Sequence, residues 1–248
     1  MNNKIILGKW EDNVSLIPDG SVSLVLTDPP YQCTPNSWDI RPDWNNFMKE
    51  MARVCGDDGQ MWIFSRMPWG LDLYSSAISA GFRWIQEVIW EKQNAGGCTV
   101  GTFRKVHENI WHFKRPDAKT FNLLSIRTPK TTKGNKSVKK RGNSDTQFLG
   151  TDNSGYIDDG LRLPRSVLQC RNVHRTKEAI GHPTQKPLVL IKTLIQYSSN
   201  EGDLVFDPFS GSGTTPFASK CLNRRWIAFE GDNEWYLKSK ERMKSLPS

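Results

Sequence analysis

Four residues, Asp28-Pro29-Pro30-Tyr31, follow an apolar run at 21–27 (SVSLVLT) that reads as a buried strand. The two prolines stiffen the backbone and remove two N–H donors, so carbonyls remain as acceptors. An acid at a strand's carboxyl end, a rigid acceptor-lined turn and an aromatic ring make a compact pocket for a planar ring bearing an amino group. Asp28 would accept one amino hydrogen, the Pro29 carbonyl the other, and Tyr31 would stack on the ring face. A Pro-Pro turn that merely ends a strand has the same four letters.

A second constellation is Asp207-Pro208-Phe209-Ser210-Gly211-Ser212-Gly213-Thr214-Thr215, between a strand-like run at 204–206 and a helix-like run at 214–222. Its glycines let the backbone approach a ligand, and the helix start offers unpaired N–H groups. This is the Gly-x-Gly of a nucleotide-binding turn, without the third glycine of a dinucleotide fingerprint. Glu230 ends the next strand-like run, 225–230 (RWIAFE), where an acid of such a site hydrogen-bonds ribose hydroxyls. A third, His182-Pro183-Thr184-Gln185-Lys186-Pro187, opens the preceding helix. Lys186 and that helix N-terminus would hold a carboxylate, although a proline-flanked helix start reads the same way.

The elements that must position these groups alternate along the chain. Strands are expected at 21–27, 60–65 (QMWIFS), 204–206 and 225–230, and helices at 43–54, 69–80, 187–198, 214–222 and 233–246. The strand runs show no strict alternation, which fits a sheet buried on both faces. Segments 83–91 and 108–114 are expected to pair antiparallel around Asn94-Ala95-Gly96-Gly97 as a sheet edge. The class is α/β, a doubly wound and mostly parallel sheet.

Length and composition bound the rest. The 248 residues suffice for a full core, and no apolar run approaches a membrane span. The five cysteines (33, 55, 98, 170 and 221) never form a CxxC pair, which points to a reducing cytoplasm. The net charge of +8 is concentrated: twelve Lys/Arg against two acids between Arg104 and Arg141 give +10 there and leave −2 for the remainder. One basic segment on a nearly neutral body suits a polyanion. Residues 130–142 (KTTKGNKSVKKRG) are expected to be loop, a solvated run or a binding element.

Together the three constellations resemble the beta-class amino DNA methyltransferases, in which the DPPY-type motif and target-recognition region precede the S-adenosylmethionine motif. The order matches, and 181–230 (GHPTQKP, GDLVFDPFSGSGTT, LNRRWIAFE) fits almost throughout. Trp90-Glu91-Lys92 and His107-Glu108-Asn109 are further landmarks. The resemblance implies a Rossmann-like methyltransferase fold in circularly permuted motif order. Residues 1–113 would form the catalytic part, 114–175 the basic target-recognition insert, and 176–248 the S-adenosylmethionine-binding part. Asp28, Pro29, Pro30 and Tyr31 would hold the target base. Gln185, Lys186, Asp207, Phe209, Ser210, Gly211, Ser212, Gly213, Thr214, Thr215 and Glu230 would surround the cofactor. Lys133, Lys136, Lys139, Lys140 and Arg141 would contact DNA phosphates. Where the family often has Gly-Asp the chain has Gly8-Lys9, and Ser23 replaces an Asp, so no role is assigned there.

The resemblance also implies double-stranded DNA as partner, without membrane or metal, and a monomer or homodimer in a bacterial or phage-infected cytoplasm. The target would be adenine N6 in a base flipped from the duplex. Cytosine N4 is the alternative, and its enzymes more often carry Ser in place of Asp28. A catalytically silent nucleic-acid-binding protein is the reading from another class. Cytosine C5 chemistry needs a cysteine nucleophile, typically after proline, and none of the five follows one. His107-Glu108 does not continue into a zinc-protease motif, because position 111 is Trp.

Overall fold

A computed structural model describes residues 3–32, 39–93, 101, 103–129, 161–174 and 176–245. Its first half contains β1 (Lys4–Leu7), α1 (Trp10–Asn13), β2 (Leu24–Thr27), α2 (Trp44–Cys55), β3 (Gln60–Ser65), α3 (Gly70–Ser79), β4 (Arg83–Lys92) and β5 (His107–Lys114). There follow β6 (Thr128–Pro129), β7 (Leu161–Arg162), β8 (Val167–Cys170), α4 (Leu188–Ser198), β9 (Leu204–Asp207), α5 (Thr214–Cys221), β10 (Arg225–Glu230) and α6 (Asn233–Lys244).

Eight strands form one sheet in the order β1-β10-β9-β2-β3-β5-β4-β8, and β6 pairs with β7 apart from it. Neighbours from β1 to β3 are parallel, β5 runs antiparallel between β3 and β4, and β8 is parallel to β4. The expected antiparallel pair is present, but it is not the edge. Val167–Cys170 (VLQC), within the basic insert of the sequence reading, adds the outer strand. The expected connecting turn at 94–97 lies outside the described residues. Lys4–Leu7 is a further unexpected strand, paired with β10 from Lys4↔Ile227 to Leu7↔Glu230.

All residues of β2, β3 and β9 are buried, as expected of strands covered on both faces. One face carries Phe47, Met48 and Met51 of α2 with Leu73 and Ala77 of α3, packed on Val25, Ile63 and Phe206. The other carries Leu190, Ile191 and Leu194 of α4 with Ala218 of α5, packed on Leu26, Trp62 and Val205. Asp43 caps α2 by accepting from the Asn45 and Asn46 N–H groups, and Asp232 caps α6 through Glu234 and Trp235. His112 belongs to the second core: it stacks on Trp62 at 4.0 Å and meets Gln60 Oε1 at 2.9 Å.

The parallel strands end together on one edge. Asp28 follows β2, Ser65 ends β3, Asp207 ends β9 and Glu230 ends β10. An open parallel sheet binds ligands at such an edge.

Candidate active site

A cavity of about 660 Å³ opens over these strand ends. Thr27, Asp28, Pro29, Pro30 and Tyr31 line it on one side, and Asp207, Phe209, Ser210, Gly211, Ser212, Thr214, Thr215 and Glu230 on the other. Two motifs far apart in sequence thus share one chamber.

At the Asp28 end, the Tyr31 hydroxyl donates to Asp28 Oδ1 at 2.9 Å. The Lys186 ammonium donates to Asp28 Oδ2, and it also lies 3.4 Å from Glu108 Oε2 and 3.3 Å from the Thr184 carbonyl. Glu108 in turn pairs with Lys92 through its other oxygen. Charges therefore alternate as Lys92, Glu108, Lys186 and Asp28. Burial raises the Asp28 pKa above the ordinary carboxylate value, against the pull of Lys186. Burial also opposes the Lys186 charge, yet Asp28 and Glu108 together hold its pKa above the usual lysine value. Asp39 holds the backbone at the end of the motif: its Oδ1 accepts from the Tyr31 and Gln32 N–H groups, each at 2.8 Å.

At the other end, Gly211 and Gly213 have φ of 51° and 71°, in the left-handed region that suits glycine. A Cβ on Gly213 would lie 2.9 Å from Ser239 Cβ, and one on Gly211 would lie 3.1 Å from His182 Nε2. The turn therefore presses against α6 and His182. The Glu230 carboxylate accepts from Gly211 N–H at 2.6 Å and Asp232 N–H at 2.8 Å, and burial raises its pKa. Asp207 Oδ1 accepts from the Thr27 hydroxyl at 2.8 Å and the Phe209 N–H at 3.1 Å, while burial pushes its pKa up to about 7. The buried Ser210 Oγ lines the chamber without a hydrogen-bond partner among the described residues.

Thr214 couples the two ends. Its hydroxyl donates to the Lys186 carbonyl at 3.3 Å and accepts from Arg242 at 2.9 Å.

A family model described as DNA methylase matches residues 22–241. The chain belongs to the N6/N4 DNA methylase family. This methylase is 30% identical over 257 residues to the type II methyltransferase M.HpaI of Haemophilus parainfluenzae, covering 99% of this chain and 75% of that one. It is 27% identical over 247 residues to M1.MboII of Moraxella bovis, covering 94% and 93%. Among solved structures, the M1.HpyAVI–SAM complex aligns with a TM-score of 0.66 at 24% identity, covering 96% of this chain and 98% of that one. The cytosine-N4-specific PvuII DNA methyltransferase aligns with a TM-score of 0.71 at 16% identity, covering 100% and 88%. The two structures share the Rossmann-like methyltransferase fold with this chain.

Most residues singled out from the sequence of the methylase converge on the chamber, with three differences. Gln185 does not line it: its amide donates to the Glu178 carbonyl at 2.8 Å and accepts from Ile180 N–H at 3.0 Å, shaping the loop before α4. Gly213 serves packing against α6 rather than the chamber wall. Lys186, expected to hold a carboxylate of the ligand, directs its three donors to Asp28, Glu108 and Thr184 instead. Lys133, Lys136, Lys139, Lys140 and Arg141 lie outside the described residues. The sequence reading missed Asp39 and left Lys9 without a role, although Lys9, Trp10 and Glu11 line the chamber beside Glu230.

Among the described residues, no helix is long and apolar enough to cross a membrane, and no group of His, Cys, Asp and Glu side chains could hold a metal ion.

Proposed function

We propose that this methylase transfers a methyl group from S-adenosylmethionine to the exocyclic N6 of an adenine flipped out of duplex DNA. One observation carries the reading: the Asp28–Tyr31 turn and the Phe209–Thr215 turn line a single chamber.

The residues present fit a nucleoside sulfonium. Glu230 keeps carboxylate lone pairs for ribose hydroxyls beside the two N–H groups it already accepts. Ser210 offers a hydroxyl with no partner among the described residues, and the bare Gly211 backbone lets a ligand approach the turn. Asp207 stands at the side facing the Asp28 turn, where Thr27 links the two strand ends. When bound, S-adenosylmethionine supplies a sulfonium-activated methyl group, which the amino nitrogen takes with its lone pair as the carbon–sulfur bond breaks.

The chain's own work is positioning and electrostatics. Asp28 and the Pro29 carbonyl accept the two amino hydrogens, which draws the nitrogen lone pair out of ring conjugation and toward the methyl. Asp28 also stabilises the positive charge that develops on nitrogen before one proton leaves to solvent. Tyr31 serves twice: its hydroxyl orients Asp28 and its ring forms a wall for the base. Adenine is favoured over cytosine because Asp, rather than Ser, stands at the first position of the motif. Phosphate contacts from Lys133, Lys136, Lys139, Lys140 and Arg141 would anchor the duplex while other side chains of the insert read bases.

Asp28→Ala tests the assignment. Methyl transfer to DNA is expected to vanish while cofactor binding, followed by calorimetry, persists; wild-type turnover would remove Asp28 from the mechanism.

A further inference from the structure

Glu108 faces the chamber at its catalytic end. It projects from β5, the antiparallel strand, opposite Trp90 of β4. One carboxylate oxygen meets Lys92 and the other lies 3.4 Å from Lys186 Nζ, which itself contacts Asp28. The Lys186 ammonium sits over the Phe64 ring, 4.8 Å from its centroid, so its charge is poorly shared with water.

We propose that Glu108 is a positioning residue for methyl transfer, dividing the charge of Lys186 between two carboxylates so that Asp28 keeps its strength as a hydrogen-bond acceptor. The inference rests on the proposed function. An ammonium facing Asp28 alone would neutralise the field that Asp28 exerts on the amino group. Glu108 draws part of that charge away, and Lys92 compensates Glu108 in turn. Among the described residues, the groups facing Asp28 are Lys186, Glu108, the Tyr31 hydroxyl and, from the cofactor side, Asp207. Among the described residues, Lys92 and Lys186 are the cations that act on Glu108. The negative charge of Glu108 raises the Asp28 pKa, and the positive charge of Lys186 lowers it.

Two substitutions then have opposite signs. In Glu108→Gln, Lys186 turns wholly to Asp28. The acid limb of the single-turnover rate moves down by about one pH unit, and the plateau falls roughly tenfold because Asp28 is a weaker acceptor. In Lys92→Met, Glu108 takes a larger share of Lys186, and the acid limb moves up. Cofactor affinity stays within about twofold of wild type in both, because neither residue approaches the Glu230 end.

The experiment measures single-turnover methyl transfer to DNA from pH 5 to 9 for wild type and both variants, with calorimetric cofactor affinity and melting temperature alongside. Opposite displacements of the acid limb establish the role. Limbs that stay in place in the folded variants overturn it, whatever happens to melting temperature. If only one variant folds, the direction of its displacement decides. Absence of transfer by the wild type would overturn the functional reading itself and the inference with it.

Discussion

The Lys186 ammonium meets the Asp28 carboxylate across 158 residues of sequence. The same lysine's carbonyl accepts the hydroxyl of Thr214 in the cofactor turn. The His182–Pro187 segment is therefore the joint between the half of the site that would hold the base and the half that would hold the methyl donor.

Lys186→Met should leave Asp28 beside Glu108 without its cation. Burial and Glu108 both raise the Asp28 pKa, so loss of Lys186 raises it further and the ionised acceptor forms only at higher pH. The acid limb of the rate should move to higher pH, with a loss of roughly a hundredfold at neutral pH. A rate–pH profile superposing on wild type would show that the contact is idle.

Asp207 should make stability fall with pH. Its folded pKa of about 7 exceeds the ordinary value of 3.8, so the folded state binds the proton more tightly than the unfolded state. The stabilisation is complete below about pH 4 and is lost as pH rises through 7, at most about 4 kcal/mol for this shift. Asp207→Asn keeps an acceptor for Thr27 and Phe209 but cannot titrate. Its melting temperature, relative to wild type, should therefore rise between pH 4 and 8; a constant difference across that range would contradict the assignment.

Glu230→Ala should weaken cofactor binding by about tenfold to a hundredfold, the worth of hydrogen bonds to a charged acceptor. It also strips the Gly211 and Asp232 N–H groups of their acceptor. Calorimetry with S-adenosylmethionine reads the first effect directly, and unchanged affinity would place the ribose elsewhere.

Gly213→Ala should destabilise the fold by roughly 1–3 kcal/mol, since a side chain would be forced into the left-handed region. It would also press on Ser239 at the packing of α5 against α6. Urea unfolding measures this, and a wild-type midpoint would show that the turn can relax.

Much of this site was legible in the sequence because its strands are buried on both faces and end directly at their functional residues. Residues 60–65 and 225–230 are strands at the very boundaries their apolar runs suggest. Lys4–Leu7 escaped because four residues carry too little pattern, and it is the parallel pairing to β10 that makes them a strand. Val167–Cys170 escaped because its alternating exposure gives no buried run to notice, and it borrows its order from β4. The pairing partner of Lys186 was illegible for a different reason. A basic residue before a helix looks like an anion site, and only the folded sheet brings Asp28 and Glu108 to it. Asp39, eight residues downstream of Tyr31, could have been suspected as a short-range acceptor for its N–H.

The identity of the methylated nucleoside decides whether this methylase acts on adenine N6 of DNA. The protein is incubated with duplex DNA and S-adenosylmethionine labelled in its methyl group, and the DNA is digested to nucleosides and resolved by mass spectrometry. The label should appear in N6-methyladenine; label in N4-methylcytosine, or in no nucleoside at all, would rule out adenine N6 methylation by this protein.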